Sequence, residues 1–420
     1  MNSNSVAMDT LENVFESGAW PSRERDWRAQ ALAKLQHDGF PTKRQEAWKY
    51  TDLSDLGETP WTAAIISEDA VPDVALLPDT DRVVYINGIF DAARSSLGAL
   101  PEGVELDPER VVAPARPAVD AMSGLNVALA RHGLYLRVAD GVALPRPLEV
   151  VNLTSAGARG GMHHVRHHVE LGASASATLL DQTLSHEAMA LSTQGWELIL
   201  GAGSTLNFTR LQDTADTHKA IDRITAEVAA DAELTINLLE LGARPGRLDL
   251  DINLVGERAS TSVGSLLYAV GKSHVDHQIR IDHQAPNCSS RTVGRALAQD
   301  RGRVVLDALV HVARGADGTD SDQQLASLLL TPGAEANVKP ELEIYADDVA
   351  CAHGSTVGQL DDDAEFYLRT RGLSRDEARA LLTQSFVRPA LQRVPAAFRP
   401  TVRRHLVDRL PGADAMEDFA

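Results

Sequence analysis

The chain has 420 residues, enough for two or three domains or for one large repeat core with appendages. Hydrophobic residues make up 44% and aromatic residues only 5%, so a large core must be filled by small and branched aliphatic side chains, which suits stacked strands. A formal net charge of −19 disfavours nucleic acid as a partner, and no stretch approaches the roughly 18 apolar residues that cross a membrane.

The first residues, MNSNSVAMDTLENVFESG, are polar and acidic without a signal-peptide pattern, which predicts a cytoplasmic protein. Residues 1–105 read as a mixed, mainly helical domain. Ser22 precedes a stretch with apolar residues at helical spacing, and Gly39 is its expected stop. RQEAWKYTDL (Arg44 to Leu53) follows, and VVYINGIF (Val83 to Phe90) predicts a short strand with an Asn-Gly turn.

Residues 106–358 change character. Short alternating runs recur, each introduced by small or acidic turn residues, with openings at Leu171, Leu200, Val228 and Leu254. An irregular period of this size with alternation inside each unit is a solenoid signature, and the units read as strands. The expected architecture is a mainly β fold, a β-helix in which every turn covers its neighbour's strand edges. A β-sandwich is the rival, although a single one of this length would be unusually long.

Residues 359–420 return to helical periodicity. Asp361 is placed to cap AEFYLRTRG, which ends at Gly372. Ser374 to Glu377 forms a capping box, and PAAFRPTVRRHLVDRL ends at Pro411-Gly412. Such helices at the end of a coil are expected to cap it, dock a partner, or both.

Four groups of residues carry possible chemistry. In an extended Val349–His353 segment, Cys351 and His353 point to one face and make half of a soft metal site. Spacing alone favours a buried thiol and a hydrogen-bonded core histidine. In MHHVRHHVEL, His163 and His167 share one face of a strand and His164 and His168 the other, so they do not converge on one ion and read as solvated or stacked positions. SHVDHQIRIDHQAPNCSSR gathers His274, Asp276, His277, Asp282, His283 and Cys288, with hydrolysis, iron binding or a hydrogen-bonded Asp276–His277 pair all open. AVGKS (Ala269 to Ser273) lacks the leading glycine of a phosphate loop. The two cysteines form no C-x-x-C pair, which excludes a structural zinc site.

PELEIYADDVACAHGSTVGQLDDDAEFYLRTRGL, from Pro340, resembles the signature of the SufB/SufD family of iron–sulfur cluster assembly proteins. The Arg44–Leu53 stretch and SHVDHQIRIDHQAPNCSSR resemble other parts of the same family. The resemblance implies a right-handed parallel β-helix with helical flanks, acting as a non-catalytic scaffold subunit beside SufB and the ATPase SufC. It implies that His353 and Cys351 help hold transient iron or a nascent cluster shared with SufB across a β-helix interface. No tightly bound cofactor is expected in the isolated chain. The C-terminal helices, around Phe366, Tyr367, Arg371, Leu381 and Leu382, inherit SufC docking, and a homodimer is possible for the isolated chain. Two departures stand out: Gly318 where the family often has lysine, and Ala350 where lysine commonly precedes the cysteine. A carbohydrate-active β-helix enzyme and a SufB-like homodimeric scaffold are the competing readings.

Overall fold

The computed structural model describes residues 4–64, 70–187 and 189–410, so the expected helix stop at Pro411-Gly412 lies outside the described residues. Two ten-stranded sheets dominate it, and from residue 161 onward the chain passes between them strand by strand. Each strand pairs in parallel with the strand one turn later. The recurring openings read from the sequence are rungs of a single ladder. Leu171 pairs with Leu200, Leu200 with Val228 and Val228 with Leu254, and the column continues through His283, Val312 and Ile344. The expected coil is the fold.

Alternation does the sorting. Leu248, Leu250, Ile252 and Leu254 point into the coil from one sheet, facing Leu234, Ile236 and Leu238 from the other. Corners are turned by residues that tolerate a left-handed backbone, including Asp231 at φ 58° and Asn287 at φ 59°. The start of the coil is closed by antiparallel strands. Ile89–Phe90 folds back on Tyr85-Ile86 through the expected Asn87-Gly88 turn, and Val104–Asp107 pairs with Tyr135–Val138. Strands thus enter the sheets ahead of residue 106: Thr62–Ala63 pairs with Gly161–Met162 in one, and Asp81–Ile86 with Leu148–Leu153 in the other.

Helices cover the outer faces. Helix α1 (Asn4–Glu16), α2 (Ser22–Asp38) and α3 (Ala121–Leu129) bury Leu11, Phe15, Leu32, Leu35 and Leu125 against Met162, Leu191 and Ile221 of one sheet. Arg28 of α2 is 1% exposed. Its Nη1 donates to the carbonyls of Val127, Ala128 and Ala130, where a cation meets the negative end of α3.

Helix α4 (Asp362–Thr370), α5 (Arg375–Leu391) and α6 (Arg399–Arg409) follow the coil. Asp361 caps α4 and the Ser374–Glu377 capping box starts α5, both as expected. Val387, Leu391, Phe398, Val402 and Leu406 pack on Leu211, Leu239, Leu266 and Leu297 of the second sheet. A Cβ added at Gly264 would come within 2.5 Å of the Ala390 carbonyl oxygen, so the absent side chain is what lets α5 lie against the strand. The helices therefore lie along the side of the coil rather than over its end, so of the expected roles, capping or docking a partner, the capping one is corrected. Among the described residues no helix is long and apolar enough to cross a membrane.

Candidate functional site

The last turn of the coil has one strand in each sheet, Glu335–Ile344 and Val349–Gln359, and both are sheet edges. They differ in how the edge is protected. The first carries Lys339, Glu341, Glu343 and Pro340, residues that discourage further pairing. The second, VACAHGSTVGQ, has neither a formally charged residue nor a proline, and it is exposed from Ala352 to Gln359. Ile344, Tyr345 and Val357, exposed at 39%, 57% and 55%, add apolar surface at this end. A long uncharged edge beside exposed apolar side chains is a template for another strand.

Cys351 and His353 lie on this strand, as the motif predicted, and share a face about 7 Å apart along the chain. Their ladder partners, Ser321 and Gln323, are buried and point into the coil, so both site residues stand over the open end of the lumen. Cys351 is half-buried against the core, while His353 is exposed. Burial, helped by the Asp320 charge, pushes the Cys351 thiol up. A metal binding there must displace a proton from sulfur, whereas the His353 imidazole stands open to solvent.

A polar row missed by the sequence reading runs inward from the pair. His283 Nε2 donates to Ser290 Oγ at 2.9 Å, and Ser290 Oγ donates to Ser321 Oγ at 2.9 Å, directly below Cys351. Gln323 Nε2 donates to the Glu341 carbonyl at 3.3 Å, leaving its buried Oε1 without a partner among the described residues. The available signal was the run of hydroxyl and amide residues at inward positions of Ser289–Ala298 and Thr319–Leu329, where aliphatic residues fill most other turns. Gly318, where the family often has lysine, sits at φ 75°, a backbone setting that disfavours any side chain. Ala350 is exposed on the outer face.

The other histidine groups are structural. His163, His164, His167 and His168 are all buried, which corrects the solvated alternative and leaves the stacked one, with His168 stacked on Tyr135, and they point to two faces as expected. His167 packs on Trp196 at 4.2 Å between ring centroids, and His163, His164 and His168 bond Thr154, Thr193 and Glu197. Burial holds His163 down to about 4, and His164 and His167 to about 3.

Asp276 and His277 point to opposite sides of their strand rather than pairing. His277 bonds Ser265 inside the coil, while Asp276 accepts from Arg247 and from the Thr51 hydroxyl. Thr51 in turn accepts from His274 Nε2 at 2.7 Å. Trp48 lies 3.8 Å under the Arg247 guanidinium. The two family-like stretches around Trp48 and Asp276 therefore meet in space and tie the N-terminal region to the coil. Cys288 is buried, donates to the Gly256 carbonyl, and has its thiol pushed up by burial. Among the described residues no three His, Cys, Asp or Glu side chains converge as a metal site.

At the helical end, Glu365 is buried and accepts from Arg375 at 3.1 Å and Arg379 at 3.3 Å, which fixes α4 against α5. That leaves Phe366, Tyr367 and Leu381 exposed at 66%, 57% and 45%. Arg371 donates to the Tyr367 hydroxyl at 2.9 Å, and Leu382 is half-buried. Exposed aromatic side chains gathered on a helix pair mark an interaction face.

Comparison with known proteins covers nearly the whole chain. Residues 153–386 match the family described as "SUF system FeS cluster assembly, SufBD core domain", and residues 21–150 match "SufBD protein N-terminal region". The chain is 29% identical over 420 residues to the Escherichia coli iron–sulfur cluster assembly protein SufD, covering 97% of this chain and 98% of that protein. It is 26% identical over 419 residues to an iron–sulfur cluster assembly SufBD family protein of Synechocystis, covering 92% and 91%. A third similarity, 29% over 212 residues, is to the Arabidopsis thaliana chloroplastic protein ABCI7, covering 50% of this chain and 45% of that one.

Proposed function

The chain belongs to the SufB/SufD family of iron–sulfur cluster assembly proteins and is SufD-like, and on that premise we propose that it is the scaffold subunit that completes a cluster-forming interface. The partner is a SufB coil that adds its strand to Val349–Gln359, and the cargo is iron or a nascent cluster held between the two coils. The role is cytoplasmic and non-catalytic, with ATP hydrolysis left to SufC docked on α4 and α5.

One observation carries this reading. Cys351 and His353, a thiol and an imidazole on one face of a strand, stand on an unpaired and unprotected edge at the open end of the coil. Two protein ligands leave iron unsaturated, and a second strand along that edge brings further donors from another chain. The exposed Phe366, Tyr367 and Leu381 support a separate docking face for the ATPase. His353 is the leading ligand, because its ring is exposed, while Cys351 must first lose a proton.

The test is His353→Ala in the chain co-expressed with its SufB and SufC partners. The complex is expected to assemble with normal stoichiometry while its iron and sulfide content falls several-fold. Cluster content equal to that of the unmodified complex would remove the site assignment. A stable cluster on this chain alone would instead favour a self-sufficient homodimeric scaffold.

A further inference from the structure

A groove of about 810 Å³ runs between the Lys43–Asp55 segment and one corner of the coil. Its cations are Lys43, Lys219, Arg244, Lys272, Arg301 and Arg303. Three acids, Asp52, Asp55 and Asp216, share the lining, and only Asp55 engages one of these cations, meeting Lys219 Nζ at 2.6 Å. Arg303 pairs outward with Glu335. Among the described residues Lys43, Arg244, Lys272 and Arg301 have no ion-pair partner.

The arrangement follows from the coil. Arg244, Lys272 and Arg301 occupy the same corner on three successive turns, as the bonds from His274 N–H to the Ala243 carbonyl and from Arg301 N–H to the Gly271 carbonyl fix the stacking of these loops. Successive turns are about 4.8 Å apart, so three unpaired cations are lined up at that interval along one edge. Lys43 faces them from the N-terminal segment, which the Thr51–His274 and Thr51–Asp276 bonds hold in place. Like charges at this spacing repel one another, and folding leaves them uncompensated on a chain whose net charge is −19. Such a cluster is electrostatically incomplete until an anion enters.

We propose that this groove binds a small molecule bearing two or more linked phosphates. A single phosphate meets one rung of the ladder, whereas a linked chain spans several rungs. The groove's size is that of a small-molecule site rather than of a macromolecular surface. Tyr50, 39% exposed at the rim, supplies a ring against which a base or other flat group can stack.

The experiment is calorimetric titration of the full chain at physiological ionic strength with orthophosphate, tripolyphosphate and ATP. Tripolyphosphate is expected to bind saturably with one site per chain, at least ten-fold more tightly than orthophosphate. Lys272→Glu combined with Arg301→Glu should weaken it at least ten-fold, while Arg314→Glu, an exposed arginine outside the groove, leaves it unchanged. ATP binding more tightly than tripolyphosphate, with the advantage lost in Tyr50→Ala, would identify a nucleotide-like ligand; equal binding would identify the phosphate chain alone as what is recognised. Circular dichroism of the double variant checks that the coil is intact. Absence of saturable tripolyphosphate binding, or binding indifferent to the double variant, would overturn the proposal.

Discussion

Arg210 is a cation buried inside the lumen of the coil among Asp181, Asp222 and Glu240, and its removal should be costly. It is fully buried, donating to Asp181 and Glu240 at 2.8 Å each, to Gln194, and in a short contact to Asp222. One positive charge does not balance three acids. Burial pushes Asp222 up to about 7, opposed by Arg210, while Glu240 is held below the usual carboxylate range by Arg210 and His277 despite its burial. In Arg210→Ala, Asp181 and Glu240 lose their counter-charge in a medium where an unpaired ion is expensive. The expected loss at pH 7.5 is about 3–5 kcal/mol, the range for breaking a buried pair by deleting one partner. The pH dependence gives a sharper signature. Stranded carboxylates take up protons in the folded state more readily than in the unfolded chain, so stability lost at pH 7.5 returns as pH falls. The gap to the unmodified protein should narrow by up to about 1.4 kcal/mol per pH unit for each acid that protonates. Urea denaturation of both proteins at pH 7.5 and 5.5 measures this. A loss under about 1 kcal/mol at pH 7.5, or a gap that widens at pH 5.5, would refute the account.

Acidification of the unmodified protein should run the other way. Burial holds His163 and His283 to about 4 and His164, His167 and His218 to about 3, so between pH 6.5 and 4 the unfolded chain binds protons that the fold excludes; stability present above pH 6.5 should decline by up to about 1.4 kcal/mol per pH unit for each ring, and a melting temperature flat from pH 7 to 5 would contradict it. Gly264→Ala places a methyl 2.5 Å from the Ala390 carbonyl and should lift α5, at a cost of about 1–3 kcal/mol, with faster hydrogen exchange over residues 375–409 and an unchanged coil. Phe366→Ser with Tyr367→Ser should shift folding stability by less than about 0.5 kcal/mol, both side chains being exposed, yet abolish co-purification of a SufC-type ATPase.

The coil was legible because its repeat writes itself into the chain. Leu171, Leu200, Val228 and Leu254 stand at one register position, so their spacing in sequence is the path length of a turn. Caps were legible for a similar reason, since Asp361 and Ser374 act on backbone a few residues away. The docking of the helices was not. Whether α5 sits on the end or the flank depends on Gly264, more than a hundred residues distant, and one glycine among many carries no label. Of the two readings open for the histidine run, solvated or stacked, the sequence does not choose, because polarity alone does not distinguish exposure from burial: His168 stacks on Tyr135, His167 packs on Trp196, and Thr154, Thr193 and Glu197 bond His163, His164 and His168 inside the structure. The basic corner was invisible for the opposite reason: Arg244, Lys272 and Arg301 are single residues in separate loops, brought together only by stacking.

The two ends of the coil are finished differently, and that asymmetry bears on function. At the start, short antiparallel strands fold back on the first strand of each sheet, Ile89–Phe90 on Tyr85-Ile86 and Val104–Asp107 on Tyr135–Val138. At the other end the repeat stops with its ladder incomplete, and a solenoid left so exposes both backbone groups and core. Charges and Pro340 protect Glu335–Ile344, yet the neighbouring Val349–Gln359 has no such device along eleven residues. In the proposed assembly, leaving one edge available while blocking the other would fix which strand a partner joins and, through the ladder, where its side chains fall relative to Cys351 and His353. On the proposed reading, a ligand pair on a rigid, uncapped rung would stay incomplete in the isolated chain, and its position would tie iron binding to assembly with the partner.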